Sequence, residues 1–526
     1  MKPLFAAALL ALFAWTATLN AEVNDDVGSI SFPTSGSAEA QAHFLRGATI
    51  LHSFGWKQAI AEFKQAQALD PDFAMAYWGE SLCYNHPLLR EQDRDTPRAV
   101  LNRLAPTLDA RLTKAPTERE QGFLLAVEAL FFGAGDTAER RVAYMEVMRD
   151  LHERFPDDDE VATFYALSLL SAAGPAGGTG HRMNVLAGSI AMQISSDNPN
   201  HPGAVHYTIH AFDDPVHAPL ALPAAWKFAD IAAAVSHARH MPTHIFIQHG
   251  MWDQVSTSNQ SAYEAAVALW EPGDSAGSMV HALDWGQYGD LQRGDYVRGA
   301  LWIERMERIA TQNAGQTRVT GALPRVKARL LLETREWSTR PVTNTSSAVE
   351  LLATGISAVR LGDSRTAKAA SKRLKKLADA AGSEEDSSYY ARTGKPLAIM
   401  YREVAGLLAI ENGKTNDGMA MLREAVSIAE SMRPPNGPPN PLKPPHELYA
   451  ETLLAAGQAQ QAAELFRTSL LRTPNRPLSL LGLARSYAAM GDAEAAGGQY
   501  RRLAQVWKGR DFPELEEANV YLADRR

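Results

Sequence analysis

The sequence predicts an all-α solenoid of stacked helix-turn-helix repeats, and three observations carry that prediction. Small and aromatic residues recur at a spacing of 34, apolar positions follow a helical rather than an alternating period, and no stretch shows convincing strand alternation. The chain has 526 residues, 45% of them hydrophobic, which is too long for one compact core. A repeat array removes that difficulty, because each unit packs only on its neighbours.

Residues 1–21 read as a secretory signal: Lys2, an apolar stretch from Leu4 to Trp15, then a polar end at Asn20 and Ala21. Cleavage near Ala21 and a periplasmic or secreted location are expected. The apolar run is short for a bilayer and no later stretch is longer, so no membrane span is expected. Residues 22–38 form an N-terminal extension. Cys83 is the only cysteine, which rules out an internal disulfide and suits a small buried apolar residue.

The main array is expected over residues 39–433. Its first unit, Ala40 to Pro71, carries Gly47, Ala59, Phe63 and Ala66, small residues where helices touch and a proline that ends the second helix. The next helix, with Tyr77, Trp78 and Gly79, begins one period later. Weaker units pass through Gly355 and Ala367 and through Gly406, Leu422 and Ala425. Gly174 to Gly180 is glycine-rich but lacks the Lys-Ser or Lys-Thr ending of a phosphate loop, and is read as a connector. Ser338 to Ser347 and Gly382 to Ser388 are polar breaks. Residues 434–445, PPNGPPNPLKPP, cannot be helical and are expected as a linker, extended or packed as a rigid loop on the array. Residues 446–526 form a C-terminal repeat pair, in which Ala450 and Ala484, Ala462 and Ala496, and Phe466 and Tyr500 are each 34 apart, with turns at Gly457, Pro474 and Gly491.

The block from residue 200 to 295 carries the chemistry. Nine of the fifteen histidines lie between His201 and His281. His206 and His210 are one helical turn apart, and His240 and His244 repeat that pair 34 residues later, which predicts the same face of the next stacked helix. His201-Pro202-Gly203 reads as a helix start. Asp213 continues the His206 face, while His237, His281, Asp284 and Tyr288 fall on equivalent groove positions when counted back from turns at Gly250 and Gly294. Helix axes roughly 8–10 Å apart let imidazoles of adjacent helices converge on one ion. His206, His210, His240 and His244 are therefore the expected metal ligands. Nitrogen donors without thiolate favour zinc or copper, and Asp213 or Asp284 could bind directly or orient a ring. Lone histidines such as His43, His52, His86, His152, His217 and His249 are read as surface or satisfied core residues. His446, beside the linker, could reach the block only if the C-terminal repeats folded back.

These patterns resemble the tetratricopeptide-repeat superfamily across the whole chain after the signal. HPGAVHYTIHAFDDP, SHARHMPTHIFIQHGMWD, HALDWGQYGDLQRGDY and KPPHELYAETLLAAGQ resemble a bacterial exported subgroup of it. The resemblance implies a concave face that binds a protein or peptide segment, but peptide-binding relatives use Asn, Lys or Arg where this chain has histidine. Neutral imidazoles are poor carboxylate clamps and good metal ligands. The formal charge of −8 and the lack of a basic run speak against a nucleic-acid partner. Two functions follow: an exported peptide-binding solenoid holding a metal, or a metal-dependent enzyme using the same histidines, with Asp284 or Tyr288 handling protons. There is no His-Glu-x-x-His sequence and no nucleophile pairing, which inclines the reading toward binding.

Overall fold

A computed structural model describes residues 26–88, 93–174, 180–381 and 394–524. The signal-like residues 1–21, the polar break at 382–388 and most of the Gly174 to Gly180 connector lie outside them. The described residues are helical, with no strand among them. Helices pair antiparallel in succession, from Ala38–His52 with Trp56–Leu69 to Pro477–Ala489 with Ala493–Val506, and Pro513–Ala523 ends the array.

The small residues do the work that the sequence assigns them. Phe63 is fully buried between Gly47 and Gly79, where an added Cβ would stand 3.0 and 2.3 Å from its ring. Phe466 and Gly482 repeat that contact at the other end of the chain, with the same offset of 16 residues and a 2.1 Å approach. Burying each ring contributes about 1.5–3 kcal/mol, and only glycine lets the neighbouring helix close over it. Helix starts are secured locally: the Ser37 hydroxyl accepts from the Ala40 amide, and Ser347 with Glu350 forms a reciprocal capping box. The turns at Gly250 and Gly294 have φ of 61° and 75°, a left-handed conformation that disfavours a side chain.

The C-terminal repeats curl back onto those two turns. The Trp252 indole donates to the Asn475 carbonyl at 3.0 Å, the Trp507 indole donates to the Gln292 carbonyl at 3.1 Å, and Pro474 packs against Gly250. Arg476, fully buried, fastens this contact through Glu333 at 2.8 Å and Glu447 at 2.8 Å. The proline-rich segment is the packed loop rather than the extended spacer. Leu442 and Lys443 are buried, Gln248 donates to the Pro435 carbonyl, and Lys443 binds Glu447 and Glu451 at 2.7 Å each. No described helix is long and apolar enough to cross a membrane.

Candidate metal centre

Three helical segments meet at the histidine block: Pro202–Ala211, the pair Ser236–His240 and Pro242–Gln248, and Gly277–Gln292. His201 caps the first, its Nδ1 accepting from the Ala204 amide at 3.2 Å, with Pro202 at the first helical position. The second segment breaks at Met241, where Pro242 starts a new helix. His237 meets His206 of the preceding helix at 3.2 Å, while His244 lies between Asp213, just past that helix, at 2.7 Å and the Trp285 ring of the following one at 4.4 Å.

The sequence grouped His206, His210, His240 and His244 around one ion. The structure divides them into two adjacent triads, His206 with His210 and His237, and His240 with His244 and His281, each with its ligand nitrogens within 4.8 Å of one another. His237 and His281, expected only as groove residues, are therefore members of the triads. The two sets share one cluster: ring centroids approach to 6.0 Å between His210 and His244 and 6.3 Å between His237 and His240.

Hydrogen bonds set the tautomers. His206 Nδ1 lies 2.6 Å from the His52 carbonyl, which can only accept, so the ring proton is on Nδ1 and Nε2 keeps its lone pair. The same holds for His240, whose Nδ1 donates to Asn259 Oδ1 at 2.7 Å. The Asn259 amide nitrogen is itself committed to the Val255 carbonyl and the Thr243 hydroxyl. His244 Nδ1 donates to Asp213 Oδ2 at 2.7 Å. Asp213 thus orients a ring and stands behind the ligand shell, the outer arrangement that metal-binding histidines use.

His240 Nε2 and His244 Nε2 face each other at 3.2 Å with both ring protons engaged elsewhere. Two lone pairs at that distance repel unless a cation lies between them. With metal–nitrogen bonds of about 2.0–2.1 Å, a 3.2 Å separation subtends about 100–106°, close to tetrahedral. His206 Nε2 and His237 Nε2 are also 3.2 Å apart. His210 Nε2 is buried without a hydrogen-bond partner among the described residues.

Electrostatics favours neutral rings. Burial pulls His206 and His240 down to about 3, and burial with neighbouring imidazoles holds His210, His237 and His281 well below the ordinary range. Neutral imidazole is the metal-binding form. Burial moves the Asp213 carboxyl the other way, upward.

Aromatic rings wall both triads. Phe54, in a left-handed conformation with φ 57°, stacks on His237 at 5.3 Å and His210 at 5.9 Å and meets His206 edge-on at 4.5 Å. A non-glycine residue there costs about 1–3 kcal/mol, a strain of the kind that collects at functional sites. Trp285 walls the second triad, 4.4 Å from His244 and 5.2 Å from His240.

Three expected residues stand elsewhere. His201 belongs to a separate buried group with His52 and Glu160, where His52 Nε2 and His201 Nε2 lie 2.8 and 3.2 Å from the carboxylate. Because His201 Nδ1 accepts an amide proton, its own proton sits on Nε2, so this group is a hydrogen-bonded carboxylate rather than a metal seat. Burial alone would raise the Glu160 carboxyl, but His52 and His201 hold it down at about 2. Asp284 is closed by Arg329 at 2.8 Å and Arg325 at 3.3 Å, which hold it below the ordinary carboxylate range against burial. It is therefore neither a ligand nor a proton carrier. Tyr288 packs edge-on against Trp252 with the Arg329 guanidinium over its ring, away from the triads. His446 lies against Glu430 at 3.3 Å and does not join the cluster. The residues that the sequence reading missed are His52, through its carbonyl, Phe54 and Asn259. The His52 carbonyl is 154 residues from His206 and Phe54 is farther still from His237, so neither leaves a local signal.

No family model and no curated protein matches the chain. Among solved structures it is similar to a human IFIT1 dimer with m7Gppp-AAAA, at 11% identity and a TM-score of 0.36, over 91% of this chain and 92% of that one. It is also similar to the APC/C hetero-tetramer Cut9-Hcn1 (9%, TM-score 0.30, 93% and 90%) and to the P58(IPK) TPR domain (11%, TM-score 0.22, 93% and 99%). The likeness is one of helical repetition. What those proteins bind does not pass to this chain.

Proposed function

We propose that this chain is a helical-repeat metalloprotein whose six histidines hold a pair of ions, each with three imidazoles and one coordination position left for an exogenous ligand. The observation that carries the reading is the 3.2 Å approach of His240 Nε2 and His244 Nε2 with both Nδ1 protons already engaged. Three protein ligands with an open position are the pattern of catalytic rather than structural sites. The reading is therefore an enzyme acting on a small molecule at the pair. Peptide capture is less favoured, because His206 and His240 are buried and the rings point at each other rather than outward.

Copper suits the donor set best. Six neutral nitrogens bring no compensating charge, so a buried pair is held more cheaply in a singly charged state, and imidazole is a good ligand for copper in either oxidation state. A copper pair with open positions supplies two-electron exchange with a bound small molecule. The chain's own residues do the rest: the His52 carbonyl, Asn259 and Asp213 aim three Nε2 atoms, and the Phe54 and Trp285 rings pack against the two triads. Export, read from residues 1–21, belongs to the same proposal; the mass of the mature N-terminus recovered from culture tests it.

The test is metal stoichiometry. Purified full-length chain reconstituted with copper retains two ions after desalting, His237→Ala and His281→Ala retain one each, and the double variant retains none. Retention of one ion in wild type, lost in both single variants, would replace the pair by one shared site. No retained metal of any kind would end the proposal.

A further inference from the structure

Residues 28–34 form no helix or turn and run along the first repeats. Val27, Ile30 and Phe32 are buried while Ser29, Ser31 and Pro33 stay exposed, the alternation of an extended chain laid in a groove with one edge to solvent. The Phe32 ring enters a socket of Phe44, Trp78, Phe123 and Phe164, at centroid distances of 5.1 to 6.3 Å. Each of those rings comes from a different helix: Ala38–His52, Ala74–Leu82, Glu118–Phe131 and Asp159–Ala173. The Arg119 guanidinium covers Phe32 at 4.6 Å. Polar groups of the same repeats hold the backbone beside it. Gln41 Nε2 donates to the Phe32 carbonyl at 2.8 Å, Arg119 Nη1 donates to the Pro33 carbonyl at 3.1 Å, and the Ser35 amide donates to Glu120 Oε1 at 2.7 Å.

The other end of this segment reaches the histidine block. The Ser29 amide donates to the Asn200 carbonyl at 3.0 Å, and Asn198 Nδ2 donates to the Ser29 carbonyl at 2.9 Å. Asn200 stands just before Pro202–Ala211, the helix of His206 and His210. The Asp26 carbonyl accepts from the Ala234 amide at 2.9 Å, and Ala234 stands just before Ser236–His240, the helix of His237. Between these two bonds Gly28, at φ 88°, fits so closely that a Cβ would stand 2.7 Å from the Asn200 carbonyl oxygen and 3.0 Å from the Ile231 side chain. A few residues of extended chain therefore tie together the starts of both segments that supply the first triad.

We infer that residues 26–34 are a detachable clamp, anchored by Phe32 in the first repeats, whose docking fixes the spacing of the segments bearing His206, His210 and His237. The groove that holds it is a binding site for an extended peptide with glycine and phenylalanine four residues apart, and the chain's own segment is its occupant. Main-chain hydrogen bonds supply the grip and the aromatic socket supplies the selectivity. A three-ring site needs its supporting shell held to within about 0.5 Å, so the clamp decides whether the first triad is formed. The effect on the bound ion rests on the proposed metal centre, whereas the clamp and its groove do not.

A protease site inserted between Gly36 and Ser37 tests this, because the full-length chain folds with the segment in place and is cut afterwards. In metal-free cut protein, a labelled synthetic peptide of residues 26–36 is expected to replace the cut segment saturably, and the Phe32→Ala peptide to bind about tenfold more weakly or worse. Amide hydrogen exchange reads the clamp. With the segment separated, exchange in residues 202–211 and 236–240 should speed up about tenfold or more, while Pro477–Ala489 keeps its protection. The wild-type peptide restores the slow rates and the Gly28→Val peptide does not. Copper-loaded protein goes from two retained ions to one when the segment is removed and returns to two with the peptide. Failure of the peptide to exchange, loss of protection throughout the molecule on cutting, or unchanged exchange in both segments would each overturn the clamp. If the uncut protein retains no metal, the proposed metal centre fails while the hydrogen-exchange result still decides the clamp.

Discussion

Acid should unfold the metal-free protein well before ordinary carboxylate titration begins. His206 and His240 are fully buried and lowered from 6.5 to about 3, so between those values each is neutral when folded and protonated when unfolded. Their contribution is therefore present above pH 6.5 and lost progressively as pH falls below it. Going from pH 7.5 to 5.5, each group binds nearly one extra proton in the unfolded chain, worth about 1.4 kcal/mol, or about 2.7 kcal/mol for the two. His210, His237 and His281 add to the loss in the same direction. Glu160 stays out of this window, since its contribution disappears only between 4.5 and about 2. Asp213, raised by burial, works in the opposite sense, which is why a difference measurement is needed. Urea unfolding of chelator-treated protein at pH 7.5 and 5.5 supplies it, for wild type and for His206→Gln/His240→Gln. Wild type should lose about 3 kcal/mol more than the double variant. Equal losses in the two proteins would mean that these rings are not buried neutral, and the electrostatic account of the cluster would fail.

Other outcomes follow from single contacts. Asp213→Asn and Asn259→Leu should each weaken one of two bound ions by about 10–100-fold, measured by competition with a calibrated chelator, and leave the other ion unaffected. Gly79→Ala drives a methyl group into the Phe63 ring, and a loss of about 1–3 kcal/mol is expected in urea unfolding. Arg476→Met strips Glu333 and Glu447 of their shared buried partner and should cost about 3–5 kcal/mol; a change below 1 kcal/mol would show that the curl of the C-terminal repeats onto the central turns does not depend on it.

The helical array was legible in the sequence because its determinants are local and periodic. Gly457 and Gly491 recur at 34 residues and both take positive φ, as the inter-helix turns require. The His206 and His240 pairs were legible for the same reason. Their grouping was not: both predicted pairs hold, but His237 of the Ser236–His240 segment joins His206 and His210, and His281 of Gly277–Gln292 joins His240 and His244, contacts between segments that no count along one helix reveals. Asp284 reads as a free carboxylate in sequence, since its neutralisation comes from Arg325 and Arg329 more than forty residues away. Phe54 carries no sequence sign of its left-handed backbone. The proline-rich segment shows only that it is not helical; its place on the array depends on distant partners, including the Gln248 side chain.

Anomalous diffraction at the copper edge from crystals of reconstituted full-length protein tests the central claim most directly. Two peaks are predicted, one about 2.0–2.1 Å from nitrogens of His206, His210 and His237 and the other at the same distance from His240, His244 and His281. A single peak shared by both triads, or metal bound only away from these six rings, would contradict it.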